Sequence, residues 1–295
     1  MTTVGGMQPE RRLAAALEPV VGQVYFAPEC HQGYVSLGFD PSTRQAGEVQ
    51  LPDGPAYFAS RGSLLGQVPG EVVAAAFGVF SPAVVVPSVR LAWTRTDADT
   101  IRAVRADGAV AQLRRLLGDR PAGVERVREL LARATADLPI AGRPLAAGIS
   151  ALPVPDDPLA AVWHLGDLLR EFRGDSHNAA WVAAGHTGVE IGLLSESYWG
   201  LPLRSYSRTR GWTDAEFDTA TDRLREQGWI DDHGLTDLGR SHREQLEFQT
   251  DHQMAAAMTA LGADLDELCS ILGPWGAAVR AGHGYLAAGP HDLAG

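Results

Sequence analysis

Gly211-Trp212-Thr213-Asp214-Ala215-Glu216-Phe217 opens the stretch that decides the fold. It continues through Ala220, Leu224 and Arg225 to Gly228, then closes as Trp229-Ile230-Asp231-Asp232-His233-Gly234-Leu235-Thr236-Asp237-Leu238-Gly239-Arg240. Thr213 followed three residues later by Glu216 is the reciprocal pair of a capping box, so a helix starts there. Phe217, Ala220 and Leu224 recur at helical spacing, and Gly228 ends the run. The apolar pair Trp229-Ile230, a turn over 231–234 and the return Leu235-Thr236 predict a minimal hairpin. A last amphipathic helix opens over 235–240 and reaches about His252. Upstream, 187–199 predicts one short helix, and 202–208 a turn or a second one.

This order of elements is that of a winged helix whose wing has shrunk to a tight turn. Its closing Leu-Thr-x-x-Gly-Arg resembles the MarR family of transcription regulators, where the same motif follows the β-wing; the resemblance spans about 187–252 and implies a ligand-responsive DNA-binding regulator. Charge points the other way. Between Thr213 and Gly228 stand Asp214, Glu216, Asp218, Asp222 and Glu226 against only Arg223 and Arg225. A recognition helix usually presents cations and amides to phosphates and base edges, so nucleic acid is not the expected partner. Arg204, Arg208 and Arg210, just before that helix, are the contrary signal.

Composition sharpens the exclusions. All 25 cationic side chains are Arg, with no Lys, and the net charge is -11. Schiff-base lysine chemistry and a GxxxxGK[ST] phosphate loop are therefore excluded. An acidic chain must concentrate its cations to bind a polyanion, and no such concentration is visible. No apolar run approaches a membrane span. Cys30 and Cys269 lie far apart, without metal-ligand spacing or a disulfide framework. A soluble cytoplasmic protein is expected.

Outward from the winged helix, the class is mainly α: a helical N-terminal region plus the degenerate winged helix-turn-helix with a short β-wing. Residues 10–37 predict a long helix reshaped around Pro28, and 40–62, rich in Pro, Gly, Asp and Ser, a loop. Helices are expected over 71–80, 97–117 and 121–138. The domain reading is a helical unit over 1–140, leaving open a diverged winged helix there, then a Pro-rich crossover over 141–158. Residues 159–281 form the central helix with the winged-helix-like domain, and 282–295 a flexible tail. Within the third unit, 159–172 is a strong amphipathic helix that Arg173-Gly174-Asp175 breaks or caps before it restarts over 176–184.

Three further stretches carry a wider resemblance: Tyr25-Phe26-Ala27-Pro28-Glu29, Phe80-Ser81-Pro82, and Trp163-His164 with Leu169-Arg170-Glu171-Phe172-Arg173-Gly174-Asp175-Ser176-His177. They resemble a functionally unassigned actinobacterial family of winged-helix-related proteins, and the likeness implies an architecture rather than an activity. Where that family commonly reads "FHP" and "LREHRGDxH", this chain has Ser81 and Phe172 in place of histidine.

The densest polar cluster is Arg170, Glu171, Arg173, Asp175 and His177, with His164 upstream. On a continuous helix Arg170, Arg173, Gly174 and His177 share a face. Asp175 can orient the His177 imidazole for acid–base work, and Glu29 is the third member of that candidate catalytic set. Arginines grip carboxylates bidentately; Arg170 and Arg173 are therefore candidate anchors of a ligand pocket with Tyr25, Phe26, His164, Phe80 and Trp181. The equally simple reading is a buried network pinning the central helix. No residue is assigned to a metal, no cofactor is named by any motif, and GxSxG and GxGxxG are absent. The leading expectation is a small-molecule-binding protein on a repurposed winged-helix scaffold, with specialised metabolism or self-resistance as its setting. Its ligand would be apolar or aromatic with an acidic group. An enzyme using Asp175 and His177, and the DNA-binding regulator, are the alternatives; a homodimer is left open.

Overall fold

The computed structural model describes residues 7–287. The chain opens with α1 (Pro9–Val21), α2 (Pro28–Ser36), a small hairpin of β1 (Gln45–Ala46) and β2 (Val49–Gln50), and α3 (Gly54–Gly62). There follow α4 (Gly70–Phe77), α5 (Pro82–Ala92), α6 (Ala98–Leu117), α7 (Val124–Thr135) and α8 (Pro144–Ser150). The long α9 (Pro158–Ala183) leads into α10 (Gly188–Tyr198), a 3-10 turn (Ser207–Arg210) and α11 (Asp214–Glu226). A second hairpin, β3 (Ile230–Asp231) with β4 (Gly234–Leu235), precedes α12 (Asp237–His252), α13 (Ala255–Leu261) and α14 (Leu265–Ala281). The chain is mainly α, and its only sheets among the described residues are these two antiparallel pairs.

The winged helix forms where the sequence places it. Thr213 and Glu216 cap α11 reciprocally: Glu216 N–H donates to Thr213 Oγ1 at 3.3 Å and Thr213 N–H to Glu216 Oε2 at 2.8 Å. Phe217, Ala220 and Leu224 are buried with Val189, Leu193, Leu194 and Ile230 in a small core of their own. The wing pairs Ile230 with Leu235 and Asp231 with Gly234. The Leu-Thr-x-x-Gly-Arg motif has a local cause. Thr236 Oγ1 accepts from Gly239 N–H at 3.0 Å and donates to Gly228 O at 2.7 Å, and a Cβ at Gly239 would stand 2.0 Å from Trp229 O. Only glycine lets α12 start that close to the hairpin.

α9 runs unbroken through Arg173-Gly174-Asp175, contrary to the expected interruption. Asp157 Oδ1 caps its start at 2.8 Å from Ala160 N–H, with Pro158 in the first turn. Trp163, Leu165, Leu168, Leu169 and Phe172 are buried, each contributing about 1.5–3 kcal/mol over exposure. One mid-helix glycine costs about 1 kcal/mol, so packing wins.

Three other expectations need correction. Within 40–62, Asp53 caps Gly54 N–H at 2.8 Å and Pro55 occupies the first turn, so 54–62 is helical despite its loop-like composition. The crossover over 141–158 contains α8, whose Leu145, Ala146 and Ile149 are buried in the main core. That core gathers α1–α9 with α13 and α14, the last packing along α1, α6 and α7; the C-terminal helices thus return to the N-terminal ones rather than to the winged helix. Tyr285, in the expected tail, is 1% exposed and meets Phe26 edge-on at 5.2 Å, because an aromatic ring gains more from that contact than its short segment loses by ordering. Residues 288–295 of the tail lie outside the described residues.

Candidate ligand cavities

Two cavities lie between the helical body and the winged helix, separated by a layer of ion pairs. α3 and α9 supply its centre: Arg61 holds Glu171 through Nε at 3.0 Å and Nη2 at 2.6 Å. Arg170 grips Glu18 of α1 at 2.9 and 3.1 Å and donates to the Tyr25 hydroxyl at 3.2 Å, while that hydroxyl donates to Glu171 at 3.2 Å. Burial alone would raise the Glu171 carboxyl, but Arg61, and after it Arg170, holds it down at about 2. Burial raises the Tyr25 hydroxyl, so it stays a proton donor. Behind this layer Arg105 and Asp167 form a second bidentate pair, 2.7 and 3.0 Å, both buried.

The outer cavity has a volume of about 820 Å³. Its body side is aromatic: Tyr25, Phe26, Tyr57, Phe58 and Phe80, with Tyr57 edge-on to Tyr25 at 5.3 Å and Phe58 edge-on to Phe80 at 5.1 Å. Its other side is the 205–211 segment that leads into α11. Arg210 there lies over the rings of Phe80 (4.4 Å) and Tyr206 (4.6 Å) and donates to the Tyr206 hydroxyl. No carboxylate pairs with its guanidinium among the described residues. The segment is fixed to the body by Ser81 N–H donating to Arg210 O at 2.9 Å and Trp212 Nε1–H to Val79 O at 2.9 Å. Gly211, at φ 80°, lies so close to Val84 that a Cβ would sit 2.6 Å from it.

The inner cavity, about 270 Å³, is bounded by α1, α9, α10 and α12. Arg170, Arg173, Gly174 and His177 all border it, as their three- and four-residue spacing on a continuous helix requires. From α12, Arg243 and Glu247 complete it; Arg173 Nη2 is 3.2 Å from Glu247 and 3.0 Å from Asp251. Burial pulls His177 down to about 4, so the imidazole is neutral.

The structure separates the candidate site residues. Tyr25, Phe26, Phe80 and Arg170 border the outer cavity; Arg170, Arg173 and His177 border the inner one. His164 borders neither; it is buried, and that burial lowers its pKa. Trp181 packs with Ile191 and Leu246 and donates to Asn178 Oδ1 at 3.1 Å. The catalytic set does not assemble. Asp175 accepts from Leu145 and Ala146 N–H at 2.9 and 3.0 Å, capping α8, because residues two apart on a helix point to different sides. Glu29 pairs with Arg115 of α6 at 2.6 Å instead of meeting His177 or Arg173. Sequence reading missed Arg61, hidden in the presumed loop, and weighed Arg210 only as a signal for nucleic acid. The Asp53-Gly54-Pro55 start, a cap followed by first-turn proline, was the available signal for α3.

The sequence model of a helix-turn-helix family matches residues 10–286. The chain belongs to that family. Comparison with curated proteins and with solved structures gave no match. Among the described residues no helix is long and apolar enough to cross a membrane.

Proposed function

We propose that this member of a helix-turn-helix family binds a small organic molecule with an aromatic or apolar body and an acidic group in the outer cavity. The observation that carries this reading is Arg210: a guanidinium over the rings of Phe80 and Tyr206, without a carboxylate partner among the described residues, on the rim of an aromatic cavity of about 820 Å³. Aromatic walls with few placed polar groups are the usual make-up of a small-molecule site, and a guanidinium reads a carboxylate bidentately. Benzoate-type acids, titrated calorimetrically against their uncharged amides, test it. Arg210→Gln is expected to weaken acid binding about tenfold to a hundredfold while leaving the melting temperature in place. Equal affinity for acids in the two proteins would overturn the reading.

A second reading, a MarR-like ligand-responsive regulator, is supported by family membership and by the 205–211 segment, which borders the cavity and runs directly into α11. Electrostatics weigh against DNA as the partner. Asp214, Asp218, Asp222 and Glu226 are exposed on α11. Arg210 aside, the cations beside and on α11 are spent within the module: Arg204 on Asp218 (2.7 Å), Arg208 on Asp214 (3.1 Å), Arg223 on Glu190 (3.1 Å) and Arg225 on Asp232 (3.2 Å). Weak, non-selective DNA retention that vanishes at physiological salt is the expected result; tight sequence-selective retention would promote the regulator instead.

A further inference from the structure

The inner cavity carries hydrogen-bonding capacity that the protein itself does not use. Buried donors in native proteins are almost always paired, and leaving one unpaired costs about 1–3 kcal/mol. Yet Arg173 Nε, Arg243 Nε and Trp199 Nε1 are buried with no acceptor among the described residues, and all three residues border this one space. Arg243 is 1% exposed, and its nearest hydroxyl contact, Nη2 to Ser195 Oγ, is a long 3.4 Å.

His177 adds the complementary function. Thr250 Oγ1 already donates its hydrogen to Leu246 O at 2.8 Å. At 3.2 Å from His177 Nδ1 it can therefore only accept. The imidazole is thus the Nδ1–H tautomer, and Nε2 is left as an acceptor with no partner among the described residues. Apart from Glu10, a further acid on its lining, the charges around the cavity are paired: Arg61 with Glu171, Arg170 with Glu18, Arg173 with Glu247 and Asp251, Arg243 with Glu247. An anion would face Glu247 and a cation would face the arginines, so neither gains.

We propose that the inner cavity is a second ligand site, for an uncharged molecule of the amide or lactam class. Its carbonyl accepts from the Trp199, Arg173 and Arg243 group, and its N–H donates to His177 Nε2. The space, about 270 Å³, is well above what a single water needs and suits a compact molecule. The proposal does not rest on ligand binding in the outer cavity.

Benzamide is the probe and benzoate its charged isostere, added to the full chain with ¹⁵N-labelled tryptophan and histidine. The Trp199 indole N–H signal, assigned by its disappearance in Trp199→Phe, is expected to move with benzamide, saturating on the order of 1 mM, and to stay still with benzoate. Benzamide affinity should be unchanged by saturating benzoate. Trp199→Phe keeps the ring bulk and removes the donor; its benzamide affinity, followed at the His177 ring nitrogens, should fall about threefold to tenfold with the melting temperature held. A Trp199 signal indifferent to benzamide would mean a cavity that takes water only, and would overturn the proposal. So would equal shifts with benzoate, or unaltered affinity in Trp199→Phe. Failure of benzoate to bind anywhere would count against the outer cavity alone.

Discussion

The helical body and the winged helix are built on different terms. The body has one continuous apolar core running from Leu13 to Tyr285, and α9 threads through it. The winged helix has a core of Val189, Leu193, Leu194, Phe217, Ala220, Leu224 and Ile230, with Trp212, Trp229 and Leu235 at its edge. Beside the cavities the two are joined by polar contacts, Arg173 to Glu247, Trp212 to Val79 O and Arg210 O to Ser81 N–H, and away from them by one small apolar cluster of Trp181, Ile191 and Leu246. Polar seams tolerate gaps that an apolar core would close, since voids in a core cost dispersion and transfer energy. Both cavities accordingly sit at the seam, beside its polar contacts.

The sharpest way to break this contrast is Phe217→Ala. Phe217 is fully buried in the small core, so its loss should cost about 3–5 kcal/mol. Hydrogen exchange is expected to speed up along α10–α12 while α6, α7 and α9 stay protected, because local cooperative units open separately. Phe172→Ala, buried in the body, should instead lower protection everywhere. If Phe217→Ala unfolds the whole chain at once, the two regions are one cooperative unit and the contrast fails.

Glu196 probes the seam itself. Its carboxylate is fully buried and accepts from the backbone N–H of Arg204 (2.7 Å), Tyr206 (2.6 Å) and Ser207 (2.6 Å). Charge-assisted bonds of this kind are about twice as strong as neutral ones. Glu196→Gln keeps the shape but removes the charge and turns an acceptor into a donor facing N–H groups; a loss of about 3 kcal/mol is expected. Acid binding in the outer cavity should weaken in parallel, since residues 205–211 border it. Lost stability with intact binding would separate the segment from the cavity.

Titration separates two sides of α9 by sign, Asp175 facing α8 within the body and His177 facing α12 across the seam. Burial pushes the Asp175 carboxyl up to about 6, against the hydrogen bond from Ala146. A raised folded pKa gives stability that is complete below the usual carboxylate value near 4 and is lost as pH rises through 6. Asp175→Asn should therefore gain up to about 2 kcal/mol above pH 6 and nothing below pH 4. His177, held down at about 4 by burial, behaves oppositely: its contribution is complete above about 6.5 and is lost as pH falls through 4. His177→Gln should flatten the acid limb of a urea-midpoint profile by a comparable amount. Because the two effects oppose each other between pH 4 and 6, each single variant should reveal a slope that the parent chain hides. Parallel slopes in parent and variants would show that neither group is coupled to folding.

The same contrast explains what the sequence made legible. The winged helix is written in local signals: the Thr213–Glu216 box, Gly228 and the Thr236–Gly239 contact all act within a few residues, and all are seen. The face shared by Arg170, Arg173 and His177 follows from helical period alone. The body depends on partners far along the chain, which spacing does not encode. Glu29 found Arg115 rather than His177, and Asp175 found the start of α8, 29 and 30 residues away. Composition also misled where a cap and a proline outweighed it, at Asp53 and Pro55 of α3. Arg210 was visible, but its rings, Phe80 and Tyr206, come from opposite sides of the seam.

The smallest expected effect concerns Gly174, where a sequence break was expected and a continuous helix is found. A Cβ there would meet nothing closer than Glu171 Oε2 at 3.8 Å, so no clash opposes it. Alanine in place of glycine inside a helix is worth about 0.5–1 kcal/mol through the entropy of the unfolded chain, and Gly174→Ala should stabilise by that amount in urea. The added methyl borders the inner cavity, so benzamide affinity should change by less than the donor deletion at Trp199 does. If the substitution destabilises, α9 needs a glycine for a reason other than local backbone freedom, and the seam reaches further into the body than its ion pairs show.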